Sequence, residues 1–211
     1  TKLRAMLKNA QLLRLDAGIF LLHLTLTAVF VALPFELEAA GLVGEHHWWL
    51  YFPALLLSFI LMVPMLIIAA KKKMNKQFFL FAIALMTLAL VVMAFAGGSV
   101  WLFALAIILY FTAFNFLEAS LPAMISMSAP AGAKGSAMGI YSTSQFAGAF
   151  CGGIIAGGLY NSLGSQGLFL AIAAVMLLWF FISKGLENVG QVTAHTVSVE
   201  IKNQREAELI A

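Results

Sequence analysis

Residues 135–158, GSAMGIYSTSQFAGAFCGGIIAGG, are mostly apolar, yet many of their side chains are unusually small. The segment is apolar enough for a membrane interior, yet glycine recurs through it and Ser, Thr and Gln are interspersed. Lipid tails are as apolar as leucine, so membrane helices associate through close backbone approach between small residues rather than through hydrophobic burial. The segment therefore predicts a membrane helix that packs closely against a neighbouring helix.

Small residues four positions apart lie on one face of a helix, and such pairs recur along this segment. The packing candidates are Gly135, Gly139, Gly148, Gly152, Gly153 and Gly157. Two interpretations remain open. The glycine faces either provide static packing, or they form smooth surfaces along which packed helices tilt and slide.

The composition of the whole chain places it in a membrane. Of 211 residues, 63% are hydrophobic and only 10% are charged, whereas a soluble domain carries about 25% charged residues. The mean hydropathy is +0.99. The basic residues lie in short loops, where membrane topology explains them, so the pI of about 9.1 does not indicate a nucleic-acid partner. The single cysteine, Cys151, excludes a disulfide framework within the chain.

A membrane-spanning helix needs about 20 apolar residues, and six segments meet that requirement. We therefore predict an all-α bundle of six transmembrane helices over residues 15–186, in contact with the lipid bilayer. The predicted spans are 15–35, 48–70, 77–97, 100–127, 135–161 and 166–186.

Basic loops alternate with non-basic ones along the chain. Positive charges lie in the lead-in over 1–14, in the loop KKKMNK at 71–76, at Lys134 and at Lys184. The loops between them carry no Lys or Arg. Because basic loops remain in the cytoplasm, both ends of the chain are predicted to be cytoplasmic.

The two ends of the sequence suggest a piece of a longer protein. The chain begins at Thr1 with a cytoplasmic lead-in over 1–14, and no initiator Met precedes the first span. Over 187–211, Val197, Val199 and Ile201 alternate with polar residues, which predicts a strand, and a helix start follows. The interpretation is a linker and the start of a truncated soluble α/β domain; a frayed tail is the alternative.

Glu118 lies deep in the fourth span, and Asn115 is three residues before it. A carboxylate inside a bilayer costs several kcal/mol unless it is paired, hydrated or protonated. Glu118 is therefore either a structural residue hydrogen-bonded to a neighbouring helix, or a protonatable or cation-sensing group that lines a pathway.

The first span carries a second polar stripe, formed by Asp16, His23 and Thr27 at helical spacing. Asp16 is near the cytoplasmic end and is expected to act as an interfacial cap or a salt-bridge partner. His23 is deeper and is either a packed hydrogen-bonding residue or a titrating cavity residue. In the fifth span, Tyr141 and Gln145 belong to a polar run that close packing does not require and that a water-filled cavity would accommodate.

Motifs of metal sites and enzymes are scarce. Glu45, His46 and His47 are adjacent, but neighbouring positions on a helix do not converge on one point, so zinc is not predicted there. The sequence contains no HExxH, no GxSxG and no phosphate-binding loop. We predict no cofactor and no enzymatic activity.

These residues support a resemblance to a known family. The stretch LEASLPAMISMSAPAGAKGSAMGIYSTSQFAGAFCGGIIAGG, residues 117–158, resembles the tenth and eleventh helices of the major facilitator superfamily, and of its YajR-type drug:proton antiporters in particular. The family's Gly-Asp-Arg-Gly-Arg loop is reduced here to AKKKMNK, in which only the basic cluster remains. The tail resembles the start of the small cytoplasmic ferredoxin-like domain of YajR-type transporters.

The resemblance implies that the six spans form the C-terminal half of a twelve-helix transporter in a bacterial inner membrane. It implies that Asp16, His23, Thr27, Asn115 and Glu118 face a central cavity, and that the missing N-terminal half packs beside the fifth span. The implied function is proton-coupled export of small amphipathic or cationic solutes by rocker-switch alternating access. The alternative is a six-span scaffold or assembly protein that does not transport.

Overall fold

The computed structural model describes residues 9–130 and 132–186, and this part of the chain is helical between short connecting turns. Five of its helices are long and apolar enough to cross a membrane. The predicted strand and helix start over 187–211, and all of the predicted lead-in before residue 9, lie outside the described residues. The helices are α1 (Ala10–Ala39), a 3-10 turn (Gly44–His46), α2 (His47–Lys71), α3 (Asn75–Ala94), α4 (Val100–Ser128) and α5 (Lys134–Ser183).

Polar side chains just before α1 and α4 stabilise the first turns of these helices. The Asn9 side-chain oxygen accepts hydrogen bonds from the backbone N–H groups of Gln11 and Leu12, at 2.9 and 3.3 Å. The hydroxyl of Ser99 accepts one from the N–H of Leu102 at 3.4 Å. These bonds satisfy N–H groups that have no partner within the helix itself. The cap of α1 is therefore Asn9, not Asp16, which lies two turns inside the helix.

Helix α5 differs most from the predicted spans, because its 50 residues contain the fifth of them and most of the sixth, on either side of a kink. A straight helix of that length would measure about 75 Å, more than twice the hydrocarbon thickness of a bilayer. Helical geometry is interrupted at Gly164, whose φ of 68° and ψ of −175° lie outside the helical region. Glycine adopts this conformation without the steric cost that a Cβ would impose. We call residues 134–163 the first arm of α5 and residues 165–183 its second arm.

Both arms of α5 contact the same part of α1. In the first arm, the backbone at Gly148 lies against the backbone of Phe20. In the second arm, Trp179 packs against Gly18, with ring atoms 3.0–3.3 Å from the position that a Cβ on Gly18 would occupy. Positions 148 and 179 thus lie at about one level of α1, although 31 residues separate them, and they contact nearly opposite faces of it, because residues two apart on a helix point about 160° apart.

Helix α1 packs against α5 and α4, and α4 contacts each of the other four helices. Helix α3 packs against α4 and α5, while α2 packs mainly against α4 and buries only Ala54, Ser58 and Ala69. The interior is almost entirely apolar. Its largest fully buried side chains include Trp179, Tyr110, Phe79, Phe103, Phe116, Phe169, Leu15 and Ile19.

The six candidate packing glycines differ in how closely other atoms approach them. A Cβ at Gly148 would collide with the backbone of Phe20, and one at Gly152 would lie 2.9 Å from Cα of Leu24. At Gly153 the nearest atom would be Thr27 Cγ2, at an ordinary 3.6 Å. Around Gly135, Gly139 and Gly157 the described residues place nothing within 4 Å. Among these six glycines, close helix–helix contact is therefore confined to the middle of the first arm.

Candidate functional site

Three polar side chains from three different helices meet inside the bundle. His23 comes from α1, Glu118 from α4 and Gln145 from the first arm of α5. Gln145 Nε2 lies 3.2 Å from Glu118 Oε1 and 2.9 Å from His23 Nε2. His23 Nδ1 lies 3.9 Å from Glu118 Oε2. We call His23, Gln145 and Glu118 the polar triad.

The helices bring the triad together because α1 and the first arm of α5 approach backbone to backbone just beside it. Gly148 is three residues after Gln145, and it lies against Phe20, which is three residues before His23. A larger side chain at position 148 would separate the two helices and carry Gln145 away from His23. The glycine therefore determines the distance at which the two polar side chains meet.

The triad is enclosed on one side and accessible on the other. The side chain of His23 is 13% exposed, and its ring lies 5.8 Å from the ring of Phe114 between centroids. The side chain of Glu118 is 35% exposed. Within the described residues, neither Glu118 Oε2 nor His23 Nδ1 has a hydrogen-bond partner, although both atoms are buried. Glu118 Oε2 thus has unused capacity to accept a proton or a cation, whereas His23 Nδ1 has it only when the ring hydrogen is on Nε2.

Two more titratable groups extend from the triad. Asp16, on α1, and Tyr141, on the first arm of α5, are both buried. Tyr141 lies one helical turn before Gln145 on the same arm. Asp16 Oδ1 and the Tyr141 hydroxyl oxygen have no hydrogen-bond partner in the described part of the chain.

The expectation that Asp16 caps a helix or forms a salt bridge differs from what the structure shows. Across residues 9–130 and 132–186 it forms no ion pair, and it is only 9% exposed. The cap role belongs to Asn9.

Among the described hydrogen bonds, neither Asn115 nor Thr27 bonds to a side chain of the triad. Asn115 Nδ2 donates a hydrogen bond to Ser58 Oγ on α2 at 3.1 Å, so Asn115 and Glu118 contact different neighbours. Thr27 Oγ1 donates to the backbone oxygen of His23 at 3.0 Å, while its methyl group faces Gly153. Sequence reasoning missed Ser58, whose only signal is that it is an isolated hydroxyl in an otherwise apolar span.

No group of three or more His, Cys, Asp or Glu side chains that could hold a metal ion occurs among the described residues. His47, one of the adjacent histidines considered above, places Nε2 at 3.0 Å from the backbone oxygen of Leu42 and packs against the Tyr51 ring. The triad itself offers one carboxylate, one imidazole and one amide. This set is suited to proton exchange or to binding an organic cation.

Comparisons with known proteins agree with a role in transport. The sequence profile of the Major Facilitator Superfamily matches residues 15–197. The inner membrane transport protein YajR of Escherichia coli (strain K12) is 38% identical over 193 residues, which are 92% of this chain and 42% of that protein. An uncharacterized transporter of Buchnera aphidicola subsp. Schizaphis graminum is 32% identical over 176 residues, 83% of this chain and 45% of that protein. The chain thus spans less than half the length of these relatives, and it belongs to the major facilitator superfamily.

Proposed function

We propose that the chain is the C-terminal half of a secondary active transporter that couples proton movement to the export of small amphipathic or cationic solutes. The observation that carries this proposal is the polar triad. It sets a carboxylate and an imidazole 3.9 Å apart within an apolar helical bundle and leaves the carboxylate partly exposed. The family itself consists of transporters rather than enzymes, in agreement with the prediction of no enzymatic activity.

The proposed topology has six spans, with α5 crossing the membrane twice. The contacts of both arms of α5 with one level of α1, together with the break at Gly164, support this arrangement. The first arm and the second arm each contain at least 19 helical positions, which suffices for one crossing. With both chain ends in the cytoplasm, the loop at Gly164 would face the periplasm.

A second six-helix half is proposed to cover the exposed side of the triad. A partly exposed carboxylate facing lipid would be costly, whereas a water-filled cavity between two halves would hydrate it. The coverage of 42% and 45% of the two relatives leaves room for such a half in a protein of their length. In this arrangement Glu118, His23 and Gln145 face the cavity, and rocking of the halves exposes it to each side of the inner membrane in turn.

The proposed proton acceptor is Glu118. In its ionised form the carboxylate attracts a cationic solute, and in its protonated form that attraction is lost. Binding of a proton and binding of a cationic solute would therefore compete at one side chain. Such competition is the simplest form of antiport, because the proton that enters displaces the solute that leaves.

The test is proton-gradient-driven efflux of a fluorescent cation from vesicles containing the full-length protein. We expect Glu118→Gln to reduce driven efflux to about a tenth or less, while the protein inserts and elutes as the native species. The matched control is Glu38→Gln, which makes the same chemical change at an exposed position near the end of α1. Glu118→Asp keeps the charge but retracts it by one methylene, so partial activity is expected.

Wild-type efflux by Glu118→Gln would refute the functional role of this carboxylate. Failure of the wild-type protein to move any cation or other solute in response to a gradient would favour the six-span scaffold instead.

A further inference from the structure

A groove between α2 and α4 opens on the surface of the bundle, beside the basic loop formed by residues 71–76. It has a volume of about 260 Å³ and a mostly apolar lining. The lining comes from the end of α2, the first residue of α3 and the last third of α4, and it includes Leu66, Ala70, Asn75, Ala119, Ala123 and Met124. The three alanines are exposed, so the groove exists because small side chains of α2 and α4 face each other there.

The groove lies on the side of α4 that points away from the polar triad. At 3.6 residues per turn, Ala119, Ala123 and Met127 lie about 100°, 140° and 180° around the helix from Glu118. A second six-helix half that covers the exposed side of Glu118 would therefore approach α4 from the opposite side. It would leave the groove open to the acyl chains of the bilayer.

The connection between α2 and α3 runs across one end of the groove, because Ala70 before it and Asn75 after it both line the groove. Backbone hydrogen bonds fold this connection into a tight turn. The N–H of Met74 donates to the oxygen of Ala69 at 2.9 Å, and the N–H of Lys73 donates to the oxygen of Ala70 at 3.2 Å. The basic loop thereby holds four lysines at the end of the groove, namely Lys71, Lys72, Lys73 and Lys76.

The positive charge of the basic loop is not neutralised by the described residues. Within 9–130 and 132–186, no ion pair joins any of its lysines to a carboxylate. Lys73 has a φ of 53°, in the left-handed region that a turn at the end of a helix usually gives to glycine. The turn thus holds a charged side chain at a position where glycine would be less strained.

We propose that the groove and the basic loop together bind an anionic phospholipid. The phosphate lies against the lysine ammonium groups, and one acyl chain lies in the groove between Leu66 of α2 and Met124 of α4. A lysine cluster alone attracts anionic headgroups diffusely, whereas a groove that receives the acyl chain fixes one lipid in place by packing. The charge therefore selects an anionic headgroup, and the apolar lining selects a lipid over free phosphate.

A second groove between the same two helices provides an internal comparison. It lies at their other ends, has a volume of about 340 Å³, and is lined by apolar side chains that include Trp49, Pro53, Trp101 and Ala104. In the described part of the chain, none of the residues that line it is Lys or Arg. It offers similar apolar space without the positive charge, so it should receive acyl chains whatever headgroup they carry.

The test is photolabelling of the full-length protein in phosphatidylcholine vesicles that contain a trace of probe lipid. The phosphatidylglycerol and phosphatidylethanolamine probes carry the same diazirine-bearing acyl chain, so they differ only in the headgroup. Peptide mapping gives the labelling yield over residues 119–127 of α4. Each lysine near an anionic headgroup is worth about fivefold in affinity, so the phosphatidylglycerol probe should label this segment at least about fivefold more strongly. The measurement needs neither transport nor a particular orientation, so its failure leaves the proposed function untouched.

Variants of the basic loop test the role of its charge. Lys73→Gly removes one charge and relieves the left-handed residue, so phosphatidylglycerol labelling should fall about fivefold while the temperature of thermal unfolding stays the same or rises. The double variant Lys71→Gln with Lys72→Gln should lower labelling further. Lys184→Gln is the matched control and should leave labelling unchanged, because that ammonium group lies over the rings of Phe180 and Phe181, 5.2 and 4.7 Å from their centroids.

A further variant tests the groove itself. Ala70→Leu fills the groove from the α2 side and changes no charge, so it should lower phosphatidylglycerol labelling of residues 119–127 severalfold. Ala104→Leu makes the same change in the second groove and should leave that labelling as in the wild type.

Equal labelling by the two probes in the wild type would overturn the proposal, since the headgroup would not be recognised. A preference for phosphatidylglycerol that survives both changes in the basic loop, or that falls equally in Lys184→Gln, would overturn the assignment of the headgroup to this loop. Unchanged labelling in Ala70→Leu would overturn the assignment of the acyl chain, because another part of the full-length protein would then cover the groove.

Discussion

At the scale of single residues, the polar triad shows which parts of a site can be recognised from sequence alone. Glu118 and His23 were identifiable because a charged or titratable side chain in an apolar span is costly and therefore conspicuous. The hydrogen bonds from Gln145 to both of them were not predictable, because they depend on how three helices are rotated about their axes. Ser58 was missed for the same reason, since only its contact with Asn115 distinguishes it from a helix-packing serine.

Tyr141 provides a prediction in which stability and activity change in opposite directions. Its hydroxyl is buried without a hydrogen-bond partner in the described residues, so its removal in Tyr141→Phe should leave the protein as stable or slightly more stable. If the hydroxyl relays protons between Asp16 and Glu118, the same variant should slow proton-driven efflux several-fold.

The measurements are thermal unfolding in detergent and efflux from vesicles, and Tyr160→Phe is the matched control. Tyr160 lies further along the same arm and packs against Phe35 at 5.9 Å between ring centroids. Equal efflux by Tyr141→Phe and Tyr160→Phe would remove Tyr141 from the proton pathway.

At the scale of helices, the sequence predicted small-residue packing along most of the fifth span, and the structure describes it only in the middle. Spacing by four residues shows which glycines share a face. It does not show whether another helix lies opposite that face. Gly148 and Gly152 have the backbone of α1 opposite them, whereas Gly135, Gly139 and Gly157 have open space within the described part of the chain. Whether helices slide along these faces stays a hypothesis.

Alanine substitutions along the first arm of α5 should therefore have opposite effects at different glycines. At Gly148 the added Cβ would collide with the Phe20 backbone, so Gly148→Ala should destabilise the bundle by about 1–3 kcal/mol, as overpacking does elsewhere. At Gly157 nothing lies within 4 Å, so Gly157→Ala should be neutral or should stabilise the helix by up to about 1 kcal/mol. Gly153→Ala, which meets only a methyl group at 3.6 Å, should fall between them.

Thermal unfolding of the three variants in one detergent gives the comparison. If Gly148→Ala and Gly157→Ala unfolded at the same temperature, the close contact between α1 and the first arm of α5 would be wrong.

At the scale of the whole molecule, hydropathy predicted the apolar segments well, because the bilayer imposes their length. The number of membrane spans depends on whether the helical segments before and after Gly164 are counted as one span or as two. The sequence NSLGSQG predicts a loop between two spans, and the structure has helix on both sides of a single glycine instead. Composition indicated a turn there, and the structure has a break in helical geometry at Gly164, with helix running up to it on both sides.

The proposed topology makes a prediction about the accessibility of loops. In a background where Cys151 is replaced by Ala, cysteines at Glu45 and Ser165 should react with a membrane-impermeant reagent added to intact cells, and one at Met74 should not. Positions 45 and 165 avoid Gly44, where a Cβ would approach Glu38, and Gly164, whose φ is positive. Reaction at Met74 together with protection of the other two would mean that the orientation is reversed.

The contact that closes the bundle has a mechanical consequence. Arg14 on α1 donates a hydrogen bond from Nη1 to the backbone oxygen of Gly185 at 2.6 Å, just beyond the end of α5. A pull on the chain after residue 186 would thus act on α1, through Arg14, as well as on the second arm of α5. Arg14 is nine residues before His23, which is a distance of about 13 Å along the axis of α1. Any load attached at that end is therefore transmitted to the helix that holds the imidazole.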